Sequence, residues 1–383
     1  MSFSKKLNRR ELSRMAIGGA LGATGLGWLP SSAAEETDPL AAAPKASGIH
    51  LACDIVVNAK DEELLFFKQV GVDTVCVRQT KPEDQTVEGL LRIKKRFADA
   101  GLIVNDFDNQ GVNANLGDIV LNRPGRDKAI EAYKAWIHTL GQAGVSMIES
   151  IMYNATASVV SGHADARGDT HGREFDRSSS ELTGAPWRLG GRTGSIDSLL
   201  FGREYSRDEI WENFTYFMKQ VVPVAEESGV RIPFDPDDPA GLPSVFGVPR
   251  IFSTFDDCKK ALKIANSTHI GMCMGCGPWL EGGAENTGID APGFIRYLAS
   301  KKQLFHVYGR NPSSPLPRTH ETYIDDGYYD MYKIVKALVD VKYDRVLTLD
   351  HNMNMVGGLH TYQAFGLGYL RAMLQCAERG YQA

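Results

Sequence analysis

The sequence predicts a (β/α)8 barrel, an α/β fold in which eight parallel strands each feed a helix. Two observations carry this reading. Beyond about residue 50, short apolar runs alternate with amphipathic segments of helical length, the pattern of a parallel sheet crossed over by helices. Eight such pairs fit the remaining chain, and no G-x-G-x-x-G turn follows the first strand, which sets the doubly wound open sheet behind the barrel.

Strand one is expected at 51–57, where Leu51, Ala52, Ile55, Val56 and Val57 are apolar, and helix one at 61–70. Strand two (72–77), helix two (86–100), strand three (102–107) and helix three (126–141) follow. Gly71, Gly101 and Gly144 each stand just past a helical turn, the usual place for a left-handed residue. Strand four (146–152) leads into a stretch rich in Ser, Gly, Asp and Arg at about 155–204. An insertion there lies over the C-terminal mouth of a barrel, as a lid or substrate loop. Helix four (207–228), strand five (230–234), helix five (255–264) and strand six (269–274) come next. Helix six (292–300), strand seven (304–308), helix seven (329–341), strand eight (345–349) and helix eight (361–378) complete the barrel.

Residues 1–34 read as an export signal. Lys5, Lys6, Arg9, Arg10 and Arg14 precede a weakly apolar run from Met15 to Leu29, and Ser32-Ala33-Ala34 offers a small-residue cleavage site. The pair Arg9-Arg10 resembles the twin-arginine signal of bacterial export, which implies a periplasmic protein. The run is too short and too rich in Gly to span a bilayer, so no stable membrane association is expected after cleavage. Residues 35–47 read as a linker. The chain carries 42 Lys plus Arg against 47 Asp plus Glu, a net charge of -5 that argues against nucleic acid or an anionic membrane as partner. Hydrophobic content of 43% rules out wholesale disorder, and six Cys in 383 residues are no disulfide scaffold.

In such barrels the chemistry sits at the C-terminal strand ends. Strand four ends in Tyr153-Asn154, strand five in Asp235-Pro236-Asp237-Asp238-Pro239, and strand six carries Cys273 and Cys276. Strand seven gives His306 and then Arg310-Asn311, and strand eight gives Asp350-His351. Singly, each has an ordinary reading: a core histidine, an Asp-Pro turn, a small buried thiol. Together, carboxylate, thiol, imidazole and carboxylate on four consecutive strands are what a divalent-metal site needs. The spacing Cys273-x-x-Cys276 lacks the second pair that a zinc site of that kind requires.

The stretch from Glu209 to Thr254 resembles the mannonate dehydratase family, through Ile210-Trp211-Glu212-Asn213, Val221-Val222-Pro223-Val224, Pro236-Asp237-Asp238-Pro239 and Phe246-Gly247-Val248-Pro249-Arg250. Tyr153-Asn154, Asp326-Gly327, Asp330-Met331 and Asp350-His351 are similar to that family as well. The resemblance implies a xylose-isomerase-like barrel that uses divalent manganese, with Fe(2+) as the alternative, to dehydrate a sugar acid in hexuronate catabolism. It places metal ligands on Cys273, His306 and Asp350, and a fourth on Asp235, where the family has a His. For such a reaction, His351 beside Asp350 is the candidate for one proton-transfer role and Tyr153 or Tyr362 for the other, and Arg310, Asn154 and Asp237 are the candidate substrate contacts. The expected reaction removes water from an aldonate to give a 2-keto-3-deoxy sugar acid. An exported metal-dependent sugar isomerase or epimerase is the second reading, and a non-catalytic sugar-binding barrel the third. The partner is a small sugar acid or sugar, and a homo-oligomer is left open.

Overall fold

The computed structural model describes residues 47–381. The export-type segment and all but the last residue of the linker lie outside the described residues.

Strands and helices alternate from the start: β1 (His50–Val56), α1 (Asp61–Gln69), β2 (Thr74–Arg78), α2 (Val87–Asp99) and β3 (Ile103–Phe107). Three helices follow, α3 (Gln110–Ala114), α4 (Leu116–Val120) and α5 (Arg126–Gln142). Then come β4 (Val159–Val160), β5 (Gly162–Ala166), β6 (Thr170–Asp176), β7 (Thr183–Gly184) and α6 (Pro186–Leu189). The next barrel unit holds α7 (Arg207–Ser228), β8 (Ile232–Phe234), β9 (Ser244–Val245), β10 (Val248–Pro249) and α8 (Phe255–Ala265). It is followed by β11 (Ile270–Gly275), α9 (Cys276–Thr287), α10 (Ala291–Ser300) and β12 (Leu304–Gly309). The chain closes with β13 (Arg318–His320), α11 (Met331–Asp340), β14 (Val346–Leu349) and α12 (Leu359–Glu378).

Seven strands form one parallel sheet in the order β3-β2-β1-β14-β12-β11-β8, so the first and last barrel strands lie side by side. Between β3 and β8, strand four is reduced to two parallel bridges, Met147 to Arg231 and Ile151 to Phe234. The fold is a (β/α)8 barrel whose fourth strand pairs only at those two points. Every residue of β11 and β12 is buried, as strands covered on both faces must be.

The helices follow from their apolar spacing. On α5, Ala129, Ile130, Tyr133, Trp136, Ile137 and Leu140 recur every three or four residues and are buried. Tyr133 meets Phe217 of α7 edge-on, with ring centroids 5.4 Å apart. Ser206 and Glu209 form a reciprocal capping box that starts α7, and Gly229 ends it at φ 65°. Gly71, Gly101 and Gly144 adopt φ of 73°, 75° and 64°, so each takes the left-handed role its position suggested. No helix among the described residues is long and apolar enough to cross a membrane.

Two features lay outside the pattern read from the sequence. Cys276 does not extend strand six: it opens α9, a helix with five apolar or glycine residues among its first six and a kink at Gly283. The segment after strand four carries an antiparallel pair, β5 with β6, and β13 joins β6 as a third strand from far along the chain. That small sheet sits over the ends of the barrel strands, because Arg173 of β6 reaches both Asp238 and His351.

Candidate active site at the barrel mouth

The C-terminal strand ends enclose a cavity of about 210 Å³ lined by Asp54, Arg78, Glu149, Asp235, Asp238, Tyr308, Arg310, Asp350 and His351, among others. Arg310 follows β12 and is 3% exposed. Its Nη1 lies 2.7 Å from Glu321 Oε1, its Nη2 3.5 Å from Asp238 and 3.4 Å from Glu281, and its Nε 3.4 Å from Asp350. Burial works against the guanidinium, but Glu281, Asp238, Asp350 and Glu321 outweigh it and hold the charge firmly in place. A glycine makes room for this side chain: a Cβ on Gly277 would stand 1.9 Å from Arg310 Nε. Burial would raise Asp238, yet Arg310 and Arg173 hold its carboxyl well below the usual range. Burial pushes its neighbour Glu281 up instead, so the proton of this pair stays on Glu281.

Across the cavity stands Arg78 at the end of β2. It bonds Asp106 at 2.5 Å, meets Asp54 at 3.1 Å and donates to the Tyr308 hydroxyl at 3.1 Å. Glu149 lies 3.7 Å from Arg78 Nε and accepts from Asn113 Nδ2 at 2.8 Å. Burial raises the Glu149 carboxyl to about 7 despite the opposing pull of Arg78. A carboxyl poised there can give or take a proton near neutrality.

The four expected metal donors stand on or just beyond β8, β11, β12 and β14, with Cys273 and His306 paired across the ladder. Asp235, beyond β8, accepts from Ser150 Oγ at 3.4 Å through Oδ2, while its buried Oδ1 has no hydrogen-bond partner. Burial, then Asp350 and Asp238, push its carboxyl up. Burial, then Asp235 and Asp350, likewise push up the Cys273 thiol, so these three groups share one neighbourhood. His306 is the register partner of Cys273 across the β11–β12 ladder and also feels Asp350, but its ring nitrogens are engaged elsewhere. Its Nε2 lies 2.8 Å from Thr348 Oγ1, its Nδ1 3.9 Å from Asp106, and its ring stacks on Tyr308 with centroids 4.2 Å apart. Residues two apart on a strand share a face, so His306 sits one layer deeper and Tyr308 takes the mouth level on β12. Burial lowers the imidazole to about 4, which keeps it neutral. Among the described residues no three His, Cys, Asp or Glu side chains gather as ligands of one ion. The arrangement therefore does not fit the four-donor ion implied by the resemblance.

The remaining candidates also separate. His351, at φ 48° just past β14, is at the mouth: its Nδ1 lies 2.6 Å from Glu321 Oε1 and its Nε2 3.6 Å from Asp350. Tyr153 is in the hydrophobic core, 1% exposed, with its ring 5.0 Å from Phe214 and 5.9 Å from Phe217. Its hydroxyl has no partner, and burial raises the phenol well above its ordinary value. Asn154 and Asp237 bond each other at 2.7 Å, and Asp237 accepts from Phe252 N at 3.1 Å, so they brace the turn after β8 and do not line the cavity. Tyr362 of α12 is buried against Tyr323 at 5.7 Å and is likewise outside the cavity wall.

Arg78, Glu149 and Tyr308 were missed, although Arg78 ends a strand and the strand-end rule applied to strands one to three finds it. Glu281 was hidden because α9 was not foreseen. Arg173 and Glu321 had no local signal at all, since 148 residues separate them.

The D-mannonate dehydratase family model matches residues 59–380. A mannonate dehydratase of Streptococcus suis strain 05ZYH33 is 26% identical over 302 residues, covering 75% of this chain and 79% of that protein. The crystal structure of mannonate dehydratase from Streptococcus suis serotype 2 superposes with a TM-score of 0.71 at 22% identity, covering 88% of this chain and 97% of that one. A xylose isomerase domain protein from Planctomyces limnophilus shares the fold at a TM-score of 0.54 and 13% identity, over 85% of this chain and 97% of the other. With its family model running through nearly the whole barrel, the chain belongs to the D-mannonate dehydratase family.

Proposed function

We propose that the mouth binds a sugar acid such as D-mannonate and removes water across C2 and C3, giving a 2-keto-3-deoxy acid. The observation that carries this is a charged, buried Arg310 on the wall of a cavity of about 210 Å³, with a proton carrier on either side of it. Arg310 pairs with the substrate carboxylate, to which its planar fork is matched. His351 accepts the C2 proton, and Glu149 gives its proton to the C3 hydroxyl as that C–O bond breaks and water leaves. The C2–C3 enol that remains takes a solvent proton at C3 and becomes the keto acid. Asp350 beside His351 Nε2 stabilises the imidazolium formed on the way.

We also propose that the chain is exported by the twin-arginine route, which Arg9-Arg10 ahead of the run from Met15 to Leu29 supports. The activity is tested by incubating the chain with D-mannonate and, separately, with D-mannose. Product from the acid alone, abolished in Arg310→Leu, supports the reading. No product from D-mannonate at any pH between 5 and 9 overturns it.

A further inference from the structure

The mouth's strongest anion pocket is already filled, by a side chain of the chain itself. Glu321, just past β13, places its Oε1 2.6 Å from Arg173 Nε, 2.7 Å from Arg310 Nη1 and 2.6 Å from His351 Nδ1. Three nitrogen donors from three separate elements thus close on one carboxylate oxygen. Its Oε2 accepts from Arg173 N at 3.2 Å. The arrangement depends on the lid sheet, because Glu321 N donates to Arg173 O at 2.9 Å in continuation of the β13–β6 ladder.

Arg310 has little left to offer a ligand. Nη1 faces Glu321, Nη2 faces Asp238 and Glu281, and Nε, which makes no hydrogen bond, lies 3.4 Å from Asp350 with Gly277 against it. A carboxylate arriving from the cavity must displace one of these acids. Asp238, Glu281 and Asp350 belong to the turn after β8, to α9 and to the end of β14, which pack as barrel wall. Glu321 belongs to the lid sheet and is the acid that can leave without disturbing the barrel.

We propose that Arg173, Arg310 and His351 form the binding site for the substrate's carboxylate, and that Glu321 occupies it as an internal competitor until substrate displaces it. The inference rests on the sugar-acid reading of the mouth and adds Arg173 as a binding residue. Glu321 thereby sets the affinity: a ligand whose carboxylate cannot reach all three donors does not displace it. The exchange needs no new charge at the mouth, because one carboxylate replaces another.

The test uses the full chain and two variants, Glu321→Gln, which keeps the shape without the charge, and Glu321→Asp, whose carboxylate falls short of the pocket. Glycolate is the probe, since it carries a carboxylate and a 2-hydroxyl but has no C3 to dehydrate. Calorimetric binding of glycolate and KM for D-mannonate are both read, with thermal unfolding as a check on folding. Losing a charged competitor should tighten glycolate in both variants by roughly tenfold or more, and lower KM in the same direction. Unchanged or weaker glycolate binding in folded variants, alongside normal turnover of D-mannonate by the native chain, overturns the competitor and leaves the dehydratase. Tighter glycolate with no turnover of D-mannonate by any form keeps the competitor and removes the dehydratase. Failure of both variants to fold would make Glu321 a structural tie and overturn the inference.

Discussion

Gly277→Ala sets two effects of opposite sign against each other. Gly277 is in the first turn of α9, and its φ is not among the left-handed values, so propensity alone makes alanine better by up to about 1 kcal/mol. Against that, the added Cβ stands 1.9 Å from Arg310 Nε and 2.5 Å from Cζ, where no real Cβ is found. Arg310 is 3% exposed, so it has no open solvent into which to swing. Either α9 shifts, at roughly 1–3 kcal/mol for overpacking, or the guanidinium withdraws from Asp238, Glu281, Glu321 and Asp350. Withdrawal leaves buried carboxylates short of a partner, about 3–5 kcal/mol when such a pair is broken outright. Partial relief of both leaves a net loss of about 2–4 kcal/mol after the propensity gain. Urea unfolding reads this directly, and KM for D-mannonate should rise by roughly tenfold or more as the carboxylate anchor moves. An alanine variant as stable as the native chain, with unchanged KM, would refute the close passage of Arg310 and its anchoring role together.

Three further outcomes are expected. His306→Ala should lower stability by about 1–3 kcal/mol through the lost hydrogen bond to the Thr348 hydroxyl and the lost stacking on Tyr308, while metal per chain, measured by elemental analysis, stays as in the native protein. Glu149 has a folded value of about 7, above its unfolded value of 4.5, so the folded state holds the extra proton between them. Its contribution to stability is full below about pH 4.5 and fades as pH rises through 7, and the proton-donor limb of kcat/KM falls in the same range. Glu149→Gln should erase that limb and reduce kcat by roughly 10²–10⁴-fold, which a pH–rate profile checks. Tyr153→Phe removes a buried hydroxyl without a partner, so stability should hold or rise by up to about 1 kcal/mol with turnover unchanged. A large drop in kcat there would return Tyr153 to the catalytic machinery.

The barrel was legible because its units repeat a local pattern. The expected helix at 207–228 is α7 residue for residue, and the last helix differs from α12 only at its start. Strand four was the weakest, for it meets its neighbour β8 only through Met147 and Ile151. At the site, the strand-end rule brought Asp235, Arg310, Asp350 and His351 to the mouth, because it depends only on where a strand stops. It says nothing of which way a side chain turns. Tyr153 turns into the phenylalanines of α7 and β8, and Asn154 turns to Asp237. Nor does it resolve depth, since His306 and Tyr308 share a face of β12 and only one of them lines the cavity. Arg173 and Glu321 depend on β6 meeting β13, a pairing with no signature in either short segment.

Water loss from C2 and C3 is the central claim, and the most direct measurement is the nuclear magnetic resonance spectrum of D-mannonate incubated with the chain in D₂O. Dehydration by the residues at this mouth predicts a 2-keto-3-deoxy acid carrying one solvent deuteron at C3, formed by the native chain and not by Arg310→Leu. Deuterium appearing at C2 of an acid that has kept all its hydroxyl groups would contradict it, and would make the barrel an epimerase.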